Sequence, residues 1–261
     1  MLCGSSTSVV CARAAAGADA PAAMIARPMP IRAVLFDAGE TLLSPHPSFP
    51  ELLARTLQAE GYGRVTPDLI RDQVKTVAHL FEEATRARRL WSTSAEESWA
   101  FWSELYRALL EAMDVPFTDE LARRLYSTFT DVANYRLFDD VVPVLEKLEG
   151  AGLELGLISN FEEWLEDLLA HLDVTRFFEV RVISGVEGME KPDPAIFHLA
   201  LDRMGIDPHH AAYVGDNVVY DVEPAEALGM TGVLLDRRGR HEDFGGVRIA
   251  SLDALPGVLG L

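Results

Sequence analysis

Short apolar runs recur along the chain, and most of them are separated by segments with helical periodicity. The strand candidates are Ile31–Phe36, Leu153–Ile158, Val180–Ile183, Ala211–Val214, Gly232–Leu235 and, at an edge, Val247–Ala250. Helices are predicted between them at 141–151, 162–172, 194–204 and 222–228. Apolar strands that alternate with helices indicate βαβ units, so we expect one parallel sheet that is buried on both faces.

The stretch from 50 to 133 has helical periodicity and holds no strand candidate. Its helices are predicted at 50–60, 67–89, 95–113 and 119–134. Thr66-Pro67-Asp68 is typical of an N-cap followed by a first-turn proline, and Ser94-Ala95-Glu96-Glu97 matches a capping box. The aromatic residues of this stretch recur at helical spacing and predict the core of a helical bundle: Trp91, Trp99, Phe101, Trp102 and Tyr106.

Because the first strand precedes the helical stretch and must join the later strands, the helices form an insertion in the sheet domain. The predicted fold class is therefore α/β, a Rossmann-like doubly wound parallel sheet with an inserted all-α cap domain. The expected divisions are a disordered tail at 1–30, core at 31–43, cap at 44–136 and core at 137–261. The linker 44–50 holds three prolines.

Residues 1–30 are rich in Ala, Ser, Gly and Pro and show no periodicity. They lack the basic start and the long apolar segment of a signal peptide. We therefore favour a disordered tail, or translation that starts at Met24 or Met29, over a targeting segment.

The charge and the cysteine content limit which binding partners and which cellular compartment we expect. The 41 acidic and 23 basic residues give a net charge of −18, which disfavours nucleic acid and anionic membranes as partners. No apolar run approaches the roughly 18–20 residues of a membrane span. The two cysteines, Cys3 and Cys11, lie in the tail, so the body of the chain has no disulfide, and we expect a cytoplasmic protein.

Polar residues follow four of the predicted strands, where ligands bind in an open parallel sheet. Each of them alone is ordinary turn or capping chemistry, but their joint occurrence at successive strand ends indicates a site. They are Asp37 after the first strand, Ser159-Asn160 after the second, Lys191 after the third, and Asp216 with Asp221 after the fourth.

These residue types suit phosphoryl transfer. Clustered carboxylates cannot all stay ionised without a cation, and hard oxygen ligands suit Mg²⁺. A carboxylate beside Mg²⁺ can attack phosphorus and form an aspartyl-phosphate. A hydroxyl and a lysine can stabilise the non-bridging oxygens in the transition state.

The sequence resembles the haloacid dehalogenase (HAD) superfamily over residues 31–253. The four matching motifs occur in order: Asp37-Ala38-Gly39-Glu40-Thr41-Leu42, Ser159-Asn160, Lys191-Pro192-Asp193-Pro194, and Gly215-Asp216 with Asp221. The resemblance implies a Rossmann-like core with a helical cap after the first motif, and hydrolysis of a small phosphorylated substrate.

The resemblance also implies roles for single residues. Asp37 would be the nucleophile. Mg²⁺ would be bound by Asp37, the main-chain carbonyl of Gly39, Asp216 and Asp221. Ser159 and the main-chain N–H of Asn160 would bind the phosphoryl group, and Lys191 would neutralise its charge and that of the nucleophile.

Gly39 departs from the pattern, because phosphatases of this superfamily usually carry a second Asp there as general acid and base. General acid–base catalysis contributes about 10²–10⁴-fold, or roughly 3–5 kcal/mol. We therefore expect weak activity on alkyl phosphates and less loss with good leaving groups. Glu40 or a cap residue is a candidate replacement, although Glu40 is more simply an exposed turn residue.

Three interpretations stay open. The first is the Mg²⁺-dependent phosphatase. The second is another hydrolase of this fold: a metal-free dehalogenase, against which Asp216 and Asp221 argue, or a phosphonatase that needs a cap lysine for a Schiff base. Lys75 is the only lysine in the cap and has the setting of a solvated side chain. The third is a phospho-ligand or protein-binding member with little turnover. The sequence leaves the oligomeric state and the exact substrate open.

Overall fold

The computed structural model describes residues 30–87 and 89–261, without the side chains of Glu82 and Thr85. The prediction for the tail at 1–30 therefore lies almost wholly outside the described residues. The strands are β1 (Ala33–Phe36), β2 (Leu43–Pro45), β3 (Tyr135–Leu137), β4 (Glu154–Ser159), β5 (Val180–Ile183), β6 (Ala211–Gly215), β7 (Thr231–Leu235) and β8 (Val247–Ile249). The α-helices are α1 (Phe49–Ala59), α2 (Pro67–Val77), α3 (His79–Arg86), α4 (Ala95–Ala112), α5 (Asp119–Phe129), α6 (Val141–Gly150), α7 (Leu165–His171), α8 (Ser184–Glu187), α9 (Pro194–Met204), α10 (Glu223–Ala227) and α11 (Leu255–Val258).

Six strands form one sheet in the order β5-β4-β1-β6-β7-β8, and every neighbouring pair is parallel. The predicted α/β class and the edge strand near 247 are confirmed. Strand β1 lies between β4 and β6, so the chain leaves it in one direction and later returns on its other side. That reversal opens a crevice at the carboxyl end of β1, where open α/β sheets bind ligands.

Both faces of the sheet are covered, as the apolar strands require. Val34 and Phe36 of β1 point into a core cluster with α6, α7 and α11. Ala33 and Leu35 point to the other face, into a cluster with α9 and residues of α10. Because all four side chains are fully buried, β1 is the centre of the molecule and fixes the position of the residue that follows it.

Helices α1 to α5, termed the helical insertion, have their own hydrophobic cluster. The antiparallel pair β2–β3 joins this insertion to the rest of the chain at both ends. The predicted linker 44–50 is therefore wrong in part, because it contains most of β2 and the start of α1. Neither three-residue strand was predicted, since such short segments carry too few positions to show a period of two.

Side-chain caps explain where the insertion helices begin. Thr66, Ser94 and Thr118 each accept a hydrogen bond from the backbone N–H three residues later, which confirms the predicted starts of α2, α4 and α5. Each cap pairs one of the N–H groups that the first turn leaves without a helical partner.

Two predicted insertion helices are too long. The helix at 67–89 is divided at Ala78 into α2 and α3, and His79 Nδ1 lies 2.7 Å from the Thr76 carbonyl beside this break. The helix at 119–134 ends at Phe129, and a short 3₁₀ turn capped by Asp131 follows.

Two core helices also differ from their predicted limits. The helix predicted at 162–172 begins only at Leu165, and the turn before it is tighter than an α-helix, since Leu165 N–H donates to the Glu162 carbonyl three residues back. The helix predicted at 222–228 follows a π-helical turn at Val218–Val222. Within the described part of the chain, no helix is long and apolar enough to cross a membrane.

Candidate active site

Asp37 directly follows β1 and lies at the crevice between β4 and β6. Its carboxylate is buried, and Oδ1 accepts hydrogen bonds from Ser159 Oγ at 3.1 Å and Lys191 Nζ at 2.8 Å. The structure therefore brings together three of the predicted site residues, which come from separate strand ends.

Lys191 is the cation of the site. Besides Asp37, its Nζ donates to Asp221 Oδ1 at 2.6 Å and to the hydroxyl of Tyr213 at 3.0 Å. Burial alone would lower the pKa of the ammonium, but the carboxylates of Asp221 and Asp37 raise it well above its ordinary value. Lys191 thus stays protonated beside the Asp37 carboxyl group.

Asp37, Asp216 and Asp221 form a carboxylate cluster whose ligand oxygens all lie within 4.8 Å of one another. Burial, together with the charges of Asp37 and Asp221, raises the pKa of Asp216 to about 8. With one ammonium and three ionised carboxylates the cluster would carry two excess negative charges, which one proton would halve and a divalent cation would balance. Clustered hard oxygen donors that resist joint ionisation are a donor set that fits a divalent cation such as Mg²⁺.

Local geometry explains why Asp221 can reach this cluster. The π-helical turn begins after Asn217, whose side chain accepts from the N–H groups of Val219 and Tyr220. Asp221 then folds back over β6, and the N–H of Asn217 donates to its Oδ2 at 3.0 Å. A Cβ on Gly215 would lie 2.3 Å from Asp221 Cγ, so only glycine leaves room for this side chain.

Asn160 has a contact that the sequence did not reveal. Its side-chain amide pairs with the backbone of Lys191 in both directions, Nδ2 to the carbonyl at 2.8 Å and Oδ1 from the N–H at 2.7 Å. The amide thereby fixes the loop that carries the lysine. The predicted binding of a phosphoryl group by the main-chain N–H of Asn160 stays a prediction.

Tyr213 is a second residue that the sequence analysis missed. It is fully buried in β6, accepts from Lys191 and donates to the Ile158 carbonyl at 2.8 Å. Its position three residues before Asp216 on an inward-facing strand was a usable signal, because a buried tyrosine hydroxyl needs a polar partner.

Gly39 has open space where a side chain would stand. An added Cβ meets no atom within 4 Å, and the backbone is not in the left-handed region. The next residue, Glu40, has φ of 55°, and its carboxylate pairs with Arg238. The described contacts of Glu40 thus agree with a turn residue held by a neighbouring arginine.

The helical insertion is bonded to the core by two core carboxylates. Glu190, which directly precedes Lys191, accepts from Ser92 Oγ at 2.6 Å, from Ser92 N–H at 2.9 Å and from Trp91 N–H at 3.1 Å. Ser184 donates to Ser92 Oγ at 2.7 Å. Burial raises the pKa of Glu190 above its ordinary value, although these hydrogen bonds oppose the shift.

Glu162 is the second such carboxylate. It accepts from Ser98 Oγ of α4 at 2.6 Å and from the hydroxyl of Tyr126 of α5 at 2.7 Å. Glu162 and Glu190 lie within three residues of Ser159 and Lys191. The insertion is therefore attached to the core beside two of the predicted site residues.

The predicted aromatic core of the insertion is largely present. Phe101 and Tyr106 are buried in its cluster, and Trp91 and Trp102 pack against it. Trp99 instead contacts Tyr126 and lies under the guanidinium of Arg123. Lys75 is 78% exposed and pairs with Asp72, which agrees with a solvated lysine.

The fold and the site can be compared with those of known proteins. The sheet order defines a protein of the α/β class with a Rossmann-like core, and the carboxylate–lysine site lies at the carboxyl edge of its sheet. The sequence model of the haloacid dehalogenase-like hydrolase family matches residues 31–229 of this chain. The chain belongs to this family of hydrolases.

Three similar proteins illustrate the relationship. Haloacid dehalogenase-like hydrolase domain-containing protein 3 of Danio rerio is 32% identical over 242 residues, which cover 88% of this chain and 97% of the relative. Phosphoserine phosphatase of Thermus thermophilus is 33% identical over 233 residues, covering 82% and 92%. The structure of Bacillus subtilis YfnB bound to magnesium has a TM-score of 0.70 at 18% identity, covering 89% and 100%, which shows a common fold.

Proposed function

We propose that the protein is a Mg²⁺-dependent phosphatase that acts on a small phosphorylated metabolite through an aspartyl-phosphate at Asp37. The observation that carries the proposal is the clustering of the Asp37, Asp216 and Asp221 carboxylates, of which Asp37 and Asp221 bond the Lys191 ammonium. Hydrolase membership and the phosphatase name of a relative support the reaction class. We propose no macromolecular partner.

Asp37, Asp216, Asp221 and the Gly39 carbonyl would hold the cation. Bound there, Mg²⁺ would lower the negative charge of the cluster and of the phosphoryl group. The raised pKa of Asp216 supports a bound cation, because it means that the three carboxyl groups do not readily carry their full negative charge together.

The other side chains have roles that follow from their contacts. Lys191 donates a hydrogen bond to Asp37 and would neutralise charge on the phosphoryl oxygens as the Asp37 carboxylate attacks phosphorus and the bond from phosphorus to the leaving-group oxygen breaks. Ser159 would also donate to the phosphoryl oxygens, since its hydroxyl donates to Asp37 Oδ1 and therefore lies beside the attacking carboxylate. Water then hydrolyses the acyl phosphate and regenerates the carboxylate.

Protonation of the leaving group is the weak step in this scheme, because Gly39 has no side chain. Glu40 is directed to Arg238, so we do not assign it the role of the acid. We therefore propose that turnover depends strongly on the leaving group. Aryl and acyl phosphates need little proton donation and should be the better substrates.

The helical insertion would serve as the cap that covers the site, and its contacts to Glu162 and Glu190 support this role. A dehalogenase would not need the Asp216 and Asp221 pair. A phosphonatase would need a cap lysine at the site, whereas Lys75 is exposed and bonded to Asp72. A binding protein without turnover would not need the Asp37 carboxyl group bonded to a buried lysine. A cytoplasmic location stays a prediction.

The test is hydrolysis of p-nitrophenyl phosphate and of acetyl phosphate with and without Mg²⁺. We expect activity that requires the metal and that Asp37→Asn abolishes. Asp202→Asn, which changes an exposed aspartate of α9, is the matched control and should keep full activity. Activity that survives Asp37→Asn in folded protein would rule out the proposed nucleophile. Halide release from a 2-haloacid without metal would favour the dehalogenase instead.

A further inference from the structure

The turn after β1, residues 38–43, contains Gly39, whose carbonyl the proposed function takes as a metal ligand. Its internal hydrogen bonds are few. The N–H groups of Leu42 and Leu43 both donate to the Ala38 carbonyl at 2.8 and 3.1 Å, and Glu40 N–H donates to the Leu43 carbonyl at 2.7 Å. These bonds close the turn, and the N–H of Phe138 attaches its end at the Leu42 carbonyl at 3.0 Å. Residues 39–41 lie before that attachment.

Arg237 supplies such an attachment. Its Nη2 donates to the Thr41 carbonyl at 2.9 Å, and its Nη1 and Nη2 form a paired contact with Asp140 at 2.8 and 2.9 Å. The guanidinium also lies 4.0 Å above the ring of Phe138. Thr41 is fully buried, so removal of the Arg237 donor would take a hydrogen bond from a buried carbonyl, which is costly.

Asp140 holds the arginine in place. It accepts further hydrogen bonds from Ser251 Oγ at 2.8 Å and Leu252 N–H at 2.9 Å. Burial raises the pKa of Asp140, but Arg237, Ser251 and Leu252 outweigh that effect and bring it below its ordinary value. The carboxylate is therefore ionised near neutral pH and can hold the guanidinium in one orientation.

Arg238 reaches the same turn from its exposed side, where it pairs with the Glu40 carboxylate. Both arginines follow β7, which is separated from β1 by β6. The loop after β7 therefore reaches past the end of β6, which carries Asp216, to hold the turn after β1. Gly39 lies between Ala38, whose carbonyl accepts the hydrogen bonds that close the turn, and the residues Glu40 and Thr41, which the two arginines bond.

We propose that Arg237, assisted by Arg238, is a positioning residue that sets the Gly39 carbonyl for the divalent cation. The inference rests on the proposed function, because it takes Gly39 as a metal ligand. Groups that orient metal ligands typically change metal affinity by 10–100-fold when they are removed. Arg237 bonds Thr41, which lies two residues after Gly39, and does not bond the ligand residue itself. We therefore expect an effect near the lower end of that range.

The experiment is a Mn²⁺ titration of metal-free protein, with free Mn²⁺ measured by electron paramagnetic resonance. Arg237→Gln should weaken binding roughly tenfold, and Arg237→Lys, which keeps the charge and one donor, should recover part of that loss. The matched control is Arg181→Gln. Arg181 also bonds a carboxylate and a main-chain carbonyl, those of Glu166 and Phe178, but it lies on the edge strand β5.

Asp216→Asn separates the two hypotheses. If it weakens Mn²⁺ binding while folded Arg237→Gln binds as the parent does, the metal site stands and the positioning role is refuted. If the parent protein binds no Mn²⁺, both are refuted. Should Arg237→Gln fail to fold, Arg238→Gln decides, because its exposed side chain is not needed for packing. We expect roughly a twofold to fourfold loss from it, and parent-like affinity would refute the proposal.

Discussion

Restoring a carboxyl group at position 39 is the most direct test of the missing proton donor. Gly39→Asp should fit without rearrangement, because the new Cβ meets nothing within 4 Å and the backbone conformation suits an L-residue. The added carboxyl would stand near Asp37 and Asp216. These like charges would raise its pKa, which favours the protonated form that a general acid needs.

The expected size follows from what general acids contribute. A positioned acid is worth about 10²–10⁴-fold when the leaving group needs a proton. We expect Gly39→Asp to gain about 10²-fold in kcat/KM on an alkyl phosphate, near the lower limit, because the rest of the site did not evolve around it. With p-nitrophenyl phosphate, which leaves without protonation, the gain should be at most a few-fold.

The assay is kcat/KM with Mg²⁺ for a series of phosphate monoesters whose leaving groups differ in pKa. The parent protein should lose activity steeply as the leaving group becomes more basic, and Gly39→Asp should flatten this dependence. Gly39→Asn is the matched control, since it has the same size but no acidic proton. Equal gains for Asn and Asp, or no change of slope in folded Gly39→Asp, would refute the reasoning.

Two further predictions concern stability. Tyr126→Phe should lower the free energy of unfolding by about 1–2 kcal/mol, because it removes a 2.7 Å hydrogen bond to the Glu162 carboxylate. Urea denaturation checks this, and an equal cost on a Glu162→Ala background, which has no acceptor for the hydroxyl, would show that the bond is not the cause. Asp236→Asn should destabilise the protein above pH 4 and lose its effect near pH 2. Burial opposes ionisation of Asp236, but N–H groups of Arg240 and His241 and the Arg248 guanidinium lower its pKa to about 2. Because the folded pKa lies below the unfolded one, the stabilisation exists above the unfolded pKa and disappears as the pH falls through the folded value. Thermal melts from pH 2 to 7 measure it, and a pH-independent difference would contradict it.

Much of the site was readable because a parallel sheet brings the carboxyl ends of its strands to one edge. Asp37, Ser159, Lys191 and Asp216 each follow a strand that its apolar residues identify, so their meeting needed only the fold class. Helix starts were readable for the same kind of reason, since the caps at Thr66, Ser94 and Thr118 are local interactions.

Other features had no local signal. Arg237 bonds Thr41, which is 196 residues earlier, and Glu190 accepts from Ser92, 98 residues earlier. Neither arginine nor glutamate is unusual in a loop, so only the packed chain shows that these two are partly or fully buried and bonded. The short strands β2 and β3 were missed because they are defined by pairing with each other rather than by composition.

The sequence by itself determined the α/β class, the insertion of helices after the first strand, and the identity of the four strand-end groups, because hydrophobic period and strand order are properties of the chain. The tertiary structure decided what holds those groups in place. It placed the Lys191 ammonium between Asp37 and Asp221, paired Asn160 with the lysine backbone, and directed Glu40 toward Arg238. Such contacts depend on distances between segments that are far apart in sequence, and only packing sets those distances.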